Sequence, residues 1–154
     1  MNDDGLDLVL YVQAQWVLGL LPSARLPEVA TEIIRNGSDV LEFYELSGKS
    51  IDGGTESVEL FEAGLRRAGV EPISKEDALD VYARVIAVRI VGKICEPYDG
   101  AKAIWLAVLA SGMSTHSYDS FIYSASEYED READRPMFSK EIEEEARRIV
   151  KGEG

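Results

Sequence analysis

Two stretches decide most of what this chain can fold into, "VIAVRIV" at 85–91 and "AIWLAVLA" at 103–110. In the first, apolar residues wrap nearly the whole helical circumference, with Arg89 the exception; the second contains no polar residue. Helices that are apolar all round are buried by other elements. A short link containing Pro97 joins the two, and so short a link sets helices antiparallel. A central hairpin over about 75–111 is therefore expected, with amphipathic helices packed around it.

The rest of the chain reads as helical too. "LDLVLYVQAQWVLGLL" (6–21) predicts a helix ended by Pro22. In "LPEVATEIIRN" (26–36), Pro27 suits a first turn, Glu28 the positive end, and Gly37 the position just past the end. Ser38 can cap a short helix over 39–46, with a turn at "GKSIDGG" after it. Thr55 can cap a helix over 55–68, whose acids Glu56 and Glu59 come early and whose bases Arg66 and Arg67 come late. Ser74 with Asp77 makes an approximate capping box at the start of a long helix over 75–95. A further helix over 98–111 stops at Gly112. A short one follows over about 118–126, then a charged connector at 127–138, then a last helix over 140–151 capped by Ser139. The last helix carries Ile142, Ala146, Ile149 and Val150 on one face. No window alternates as a strand does. The expected fold is all-α, one domain of seven or eight helices across 1–154.

Composition limits the partners. There are 29 acidic residues against 16 Lys plus Arg, a net charge of -13. That field repels phosphate backbones and anionic bilayers, so neither nucleic acid nor a membrane is an expected partner. It favours encounter with a basic protein. The surplus sits on the flanks, while residues 75–126 carry 6 acids and 5 bases. The apolar stretch 6–21 follows Asn2-Asp3-Asp4 where a leader peptide wants positive charge, and it is too short to span a bilayer. It reads as a core helix of a cytoplasmic protein. The single cysteine, Cys95, excludes an internal disulfide and reads as a small hydrophobe in an apolar helical run.

Three groups of residues have the right chemistry for a site. The hydroxyl-rich "SGMSTHSYDS" holds the only histidine, His116, near Ser114, Ser117 and Asp119, but without a nucleophile elbow. Such residues are also what a loop needs. "DGGT" (52–55) lacks the lysine of a phosphate loop and reads as a capped turn. The third group is the carboxylates. "EDALD" (76–80) followed by "EPYD" (96–99) resembles the acidic pattern of all-α nucleotide pyrophosphohydrolases. That resemblance implies Mg²⁺ held against a triphosphate by Glu76, Asp77, Asp80, Glu96 and Asp99. The chain departs from it by using Asp in the first cluster and by placing Pro97 inside the second. On one continuous helix, Asp80 and Glu96 would stand roughly 24 Å apart. A break at Gly92 or a partner chain would be needed to bring them to one ion.

A second resemblance covers 16–48, "WVLGLLPSARLPEVATEIIRNGSDVLEFYELSG". This stretch is similar to a family of small uncharacterised bacterial helical proteins. The resemblance implies a bacterial, helical domain and no activity.

The expected function is a non-catalytic acidic interaction module without a cofactor. Its character is that of immunity proteins that neutralise a basic bacterial protein. Asp39, Glu42 and Glu45, with Glu127, Glu129 and Asp130 of the connector, are the expected partner-binding residues. Two alternatives stand beside this reading. One is the Mg²⁺-dependent hydrolase; the other is a homodimer that buries its apolar hairpin between chains.

Overall fold

A computed structural model describes residues 3–50 and 54–152. The protein is all-helical, with eight α-helices among the described residues. These are α1 (Asp3–Val17), α2 (Leu26–Arg35), α3 (Leu41–Ser47), α4 (Gly54–Arg67), α5 (Lys75–Val91), α6 (Pro97–Ser111), α7 (Asp119–Asp130) and α8 (Arg135–Val150). Short 3₁₀ turns at Ser23–Arg25 and Glu132–Asp134 lead into α2 and α8. No helix among the described residues is long and apolar enough to cross a membrane. The chain divides into two compact units, Met1–Ala78 and Leu79–Gly154.

The first unit has a core of its own. Val9 and Val12 of α1 join Leu26, Val29, Ala30 and Ile33 of α2, Phe43 and Leu46 of α3, and Phe61 and Leu65 of α4 in one buried cluster. The amphipathic helices α2 and α4 thus pack with α1 and α3 in this cluster. Trp16 meets Phe61 edge to face, with ring centroids 5.5 Å apart. Helices α3 and α4 cross very closely at Gly64. A Cβ there would lie 2.4 Å from Cε1 of Phe43, so only glycine leaves room for the ring.

In the second unit, α6 and α8 both pack on α7, and α6 also touches α8. The later part of α5 packs on α6 at Gly100, where a Cβ would come within 2.6 Å of Cδ1 of Ile90 and 3.1 Å of Cγ2 of Ile86. Phe121, Phe138, Ile104, Ile142 and Ile90 are all buried. The expectation that the apolar runs are covered on every side fails in part. Val88, Leu106 and Leu109 are 47%, 50% and 65% exposed.

Several helix ends differ from expectation, each for a local reason. Helix α1 stops at Val17, four residues early, because Gly19 is left-handed (φ 75°). The Leu20 amide there donates to Gln15 O across the turn, a Schellman-type closure. The buried Leu18 and Leu21 continue the apolar pattern past the helix. Ser38 caps nothing: its Oγ accepts the Val40 amide two residues on, and α3 starts at Leu41. Ser74 does cap α5, accepting the Asp77 amide at 3.1 Å. Helix α5 ends at Val91 because Lys93 turns left-handed (φ 62°) and the Ile94 amide closes back on Arg89 O. Cys95 therefore lies in the link after α5, not in the helix. The stretch 127–138, expected as a connector, is mostly helical. Helix α7 runs to Asp130, and α8 starts at Arg135 because Pro136 sits in its first turn, where no amide is needed. The turn at "GKSIDGG" and the "DGGT" stretch fall largely on residues 51–53, outside the described residues.

Candidate functional site

Charge is unequal between the units. The first holds 15 acidic and 6 basic residues; the second holds 14 and 10. Within the first unit, α3 is apolar on two opposite sides. Phe43 and Leu46 are completely buried. At i, i+3 on the other side, Leu41 and Tyr44 are 62% and 51% exposed. Phe43 is locked against Gly64, so rotation of α3 cannot hide Leu41 and Tyr44.

Two of the expected partner-binding acids, Asp39 and Glu45, stand beside Leu41 and Tyr44 along the chain. Asp39 and Glu45 are exposed and, among the described residues, take part in no ion pair. Glu42 points elsewhere. Its side chain is 15% exposed, and Oε2 meets Arg67 Nε of α4 at 3.3 Å. The face thus offers two apolar anchors, one of them a tyrosine, beside uncompensated negative charge. Apolar centre and polar rim are the usual anatomy of a protein contact, and tyrosine is enriched among residues that dominate binding.

The other expected acids, Glu127, Glu129 and Asp130, belong to the second unit. Two of the three are already engaged. Glu127 pairs with Arg131 one turn on, at 3.5 Å. Glu129 Oε2 accepts from Lys102 Nζ at 2.7 Å and from the Tyr98 hydroxyl at 2.6 Å. Those two hydrogen bonds hold its carboxyl below the ordinary carboxylate range, and the same bond pushes Tyr98 up to about 12. Tyr98 also stacks on Tyr128 at 4.5 Å, and the Arg135 guanidinium lies over Tyr128 at 4.8 Å. Glu129 is a strut between α6 and α7. Asp130 is exposed.

The carboxylates of the hydrolase reading do not converge. Among the described residues, no group of three His, Cys, Asp or Glu could hold a metal ion. The chain does turn at Gly92, as that reading requires. Yet α6 returns beside Ile86 and Ile90 of α5, whereas Asp80 lies ten residues before Ile90, about 15 Å along the axis. Glu76 and Asp77 are in the first turn of α5, one turn earlier still. Glu96 occupies the N-cap position of α6 and Asp99 its first turn. All four favour a positive helix end.

Asp80 has a separate engagement that its sequence position did not reveal. Its Oδ1 accepts the Tyr118 hydroxyl at 2.5 Å. Burial, then this bond, holds the phenol well above its ordinary range. Asp80, Ser117, Tyr118 and Arg84 line a cavity of about 440 Å³ with Glu145 and Arg148 of α8. Arg84 donates to the Ile149 and Val150 carbonyls at 3.0 and 3.3 Å, closing the end of α8. Arg148 and Glu145 pair through both oxygens of the carboxylate. Glu145 and Arg148 thus neutralise each other in the wall, while Asp80 is held by a phenol and Arg84 by backbone carbonyls. His116 meets Asp119 at 2.9 Å with its side chain 91% exposed, and Ser117 donates its amide to Thr115 Oγ1. That stretch builds a turn. Burial, then Asp99, pushes the Cys95 thiol up, away from reactive thiolate.

Set against known proteins, the chain matches no family model, no curated protein and no solved structure.

Proposed function

We propose that this chain is a non-catalytic acidic interaction module whose α3 face receives a basic protein, in the manner of an immunity-type inhibitor. The observation that carries the reading is the pairing of exposed Leu41 and Tyr44 with unpaired Asp39 and Glu45 in the more acidic unit. The surplus charge steers a cationic partner and rejects anionic ones. The two apolar side chains supply the contact that persists once charges are screened.

The test is affinity capture with the full chain as bait, at about 0.01 M and about 1 M salt, where screening lengths are roughly 30 and 3 Å. A Leu41→Asp/Tyr44→Ala variant serves as control. A basic protein retained at low salt by the native chain, and released both by salt and by the variant, is the expected result. Absence of any basic partner at low salt, or equal retention by the variant, removes the proposal. A second reading, self-association through α6, is favoured by the exposure of Leu106 and Leu109 on that helix. Light scattering checks it: a dimer mass that Leu106→Glu/Leu109→Glu converts to monomer is required.

A further inference from the structure

Helix α6 has two unlike sides. Gly100, Ile104, Ala107 and Ser111 are buried. On the opposite side Lys102, Ala103, Leu106, Leu109 and Ala110 recur at spacings of three and four. Leu106 and Leu109 are at least half exposed, and Ala110 is exposed. Gly100 sits against Ile86 and Ile90 of α5 with no room for a Cβ, which fixes the rotation of α6 about its own axis. The two leucines therefore cannot turn inward.

Charge decides which partner this side admits. No Lys, Arg, Asp or Glu occurs from Ala103 to Tyr118. Lys102, next to the leucines, is already held by Glu129 at 2.7 Å and lies 4.1 Å over the Trp105 ring. A strongly charged protein finds nothing here to be steered by. A second copy carries the same net charge of -13, so two copies repel wherever their acidic surfaces meet. An uncharged apolar side is where that repulsion is least.

We propose that two copies of the chain pack α6 against α6, antiparallel, about a two-fold axis at Leu106. The proposal rests on self-association through α6 and gives it a geometry. In a two-fold contact residue i meets j and j meets i. With Leu106 on the axis, Ala103 comes opposite the second copy's Ala110. That small pair lets the helices approach while the two Leu106 side chains fill the centre. The second copy's Leu109 falls on the other flank, over the Lys102 stem and the Trp105 ring. Asp99 sets the direction. It is exposed, joins no ion pair among the described residues, and lies on this side of α6, seven positions before Leu106. Parallel packing would place it against its own copy. Antiparallel packing holds the two carboxylates roughly 21 Å apart along the axis, beyond the screening length of about 8 Å at physiological salt. One helix face supplies fewer residues than the roughly 20–30 a side of a standard interface, so the dimer is weak and reversible.

The experiment is disulfide trapping of the full chain in a Cys95→Ser background, with light scattering at about 0.01 M and about 1 M salt. Leu106→Cys is expected to link to its own copy under mild oxidation. An equimolar mixture of Ala103→Cys and Ala110→Cys chains is expected to give a mixed dimer, while each alone stays unlinked. Antiparallel packing leaves position 103 roughly 9 Å and position 110 roughly 12 Å from its own copy along the axis, beyond the roughly 7 Å between Cα atoms that a disulfide spans. Salt screens the repulsion between copies, so the mass should rise from low to high salt, the reverse of the response expected at the α3 face. Ala110→Cys linking to itself, a dimer without the link at 106, or a mass that falls with salt overturns the antiparallel geometry. Whether α6 is still the contact is then read from Leu106→Glu/Leu109→Glu. Monomer mass at both salts with no link at 106 removes the geometry and self-association together, and leaves the α3 reading untouched. A helical circular dichroism spectrum like the native chain's shows each variant to be folded.

Discussion

The crossing of α3 and α4 makes a sharp prediction about a single methyl group. In Gly64→Ala the new Cβ would sit 2.4, 2.7 and 2.9 Å from three atoms of the Phe43 ring. All three are shorter than a van der Waals contact, and the ring is rigid and wholly buried, so it cannot swing into solvent. Overpacking of this kind costs about 1–3 kcal/mol, and three simultaneous clashes on one ring place it near the top of that range. Against this, Ala is a better helix former than Gly by about 1 kcal/mol. The net expectation is a loss of about 2 kcal/mol in the first unit. The measurement is urea unfolding followed by tryptophan fluorescence in a Trp105→Phe background, so that Trp16 alone reports and it reports on the first unit. Phe43→Leu in the same background removes the ring face that Gly64 touches. In that variant the second change to Ala is expected to cost nothing or to stabilise, giving a coupling of about 2 kcal/mol between the positions. If Gly64→Ala alone stabilises by the full propensity gain, the helices are not held at this distance by Phe43. The claim that α3 is locked with Leu41 and Tyr44 outward then fails with it.

Three further outcomes are expected. Lys93 is held at φ 62°, so Lys93→Gly should raise stability by about 0.5 kcal/mol in chemical denaturation, after subtraction of the extra chain entropy of glycine, while Lys93→Ala should not; no difference between the two refutes the strain. Glu129 is held below the ordinary carboxylate range, so it contributes stability that is present above the unfolded value of about 4.3 and lost as pH falls through the lower folded one. Tyr98, raised to about 12, contributes stability that is present below about 10 and lost as pH rises towards 12. Denaturation midpoints of the native chain and Glu129→Gln should therefore differ steadily from about pH 5 to 9 and converge at both extremes; an unchanged gap at pH 3 contradicts the network. Arg84→Ala strips two acceptor contacts from the end of α8 and should cost about 1 kcal/mol, with faster amide exchange over 147–151 and unchanged exchange in α2.

The fold class and most helix positions were legible because local chemistry announces them. Pro97 and Gly112 bracket α6, Pro27 and Gly37 bracket α2, and Ser74 caps α5, all close to where the residues alone put them. Misplaced ends came from residues whose role depends on context. Gly19 closes α1 inside a run whose leucines go on being buried, so hydrophobicity outlasts the helix. Pro136 reads equally as a breaker and as a first-turn residue, and the pairs Glu127–Arg131 and Arg131–Asp134 stabilise local structure where charge density alone suggested a connector. That α2, α3 and α4 share a buried cluster with α1 was not legible, because an apolar helix face does not say which partner it meets. Nor was the α3 face. "LEFYELS" is apolar on both sides, and periodicity cannot say which pair, Phe43 with Leu46 or Leu41 with Tyr44, turns inward. That choice is made by Gly64, eighteen residues past Leu46.

The meeting of α5 and α6 also bears on how this sequence can change through descent. Where Gly100 faces Ile90 there is space for a hydrogen and not for a carbon. A lineage can trim the isoleucine first and then enlarge the glycine, but the opposite order passes through a jammed intermediate. Cγ1 of Ile90 would stand only 2.7 Å from the new carbon, so valine does not clear the space, and the two positions should drift as a linked pair in which alanine or serine at the first goes with alanine at the second.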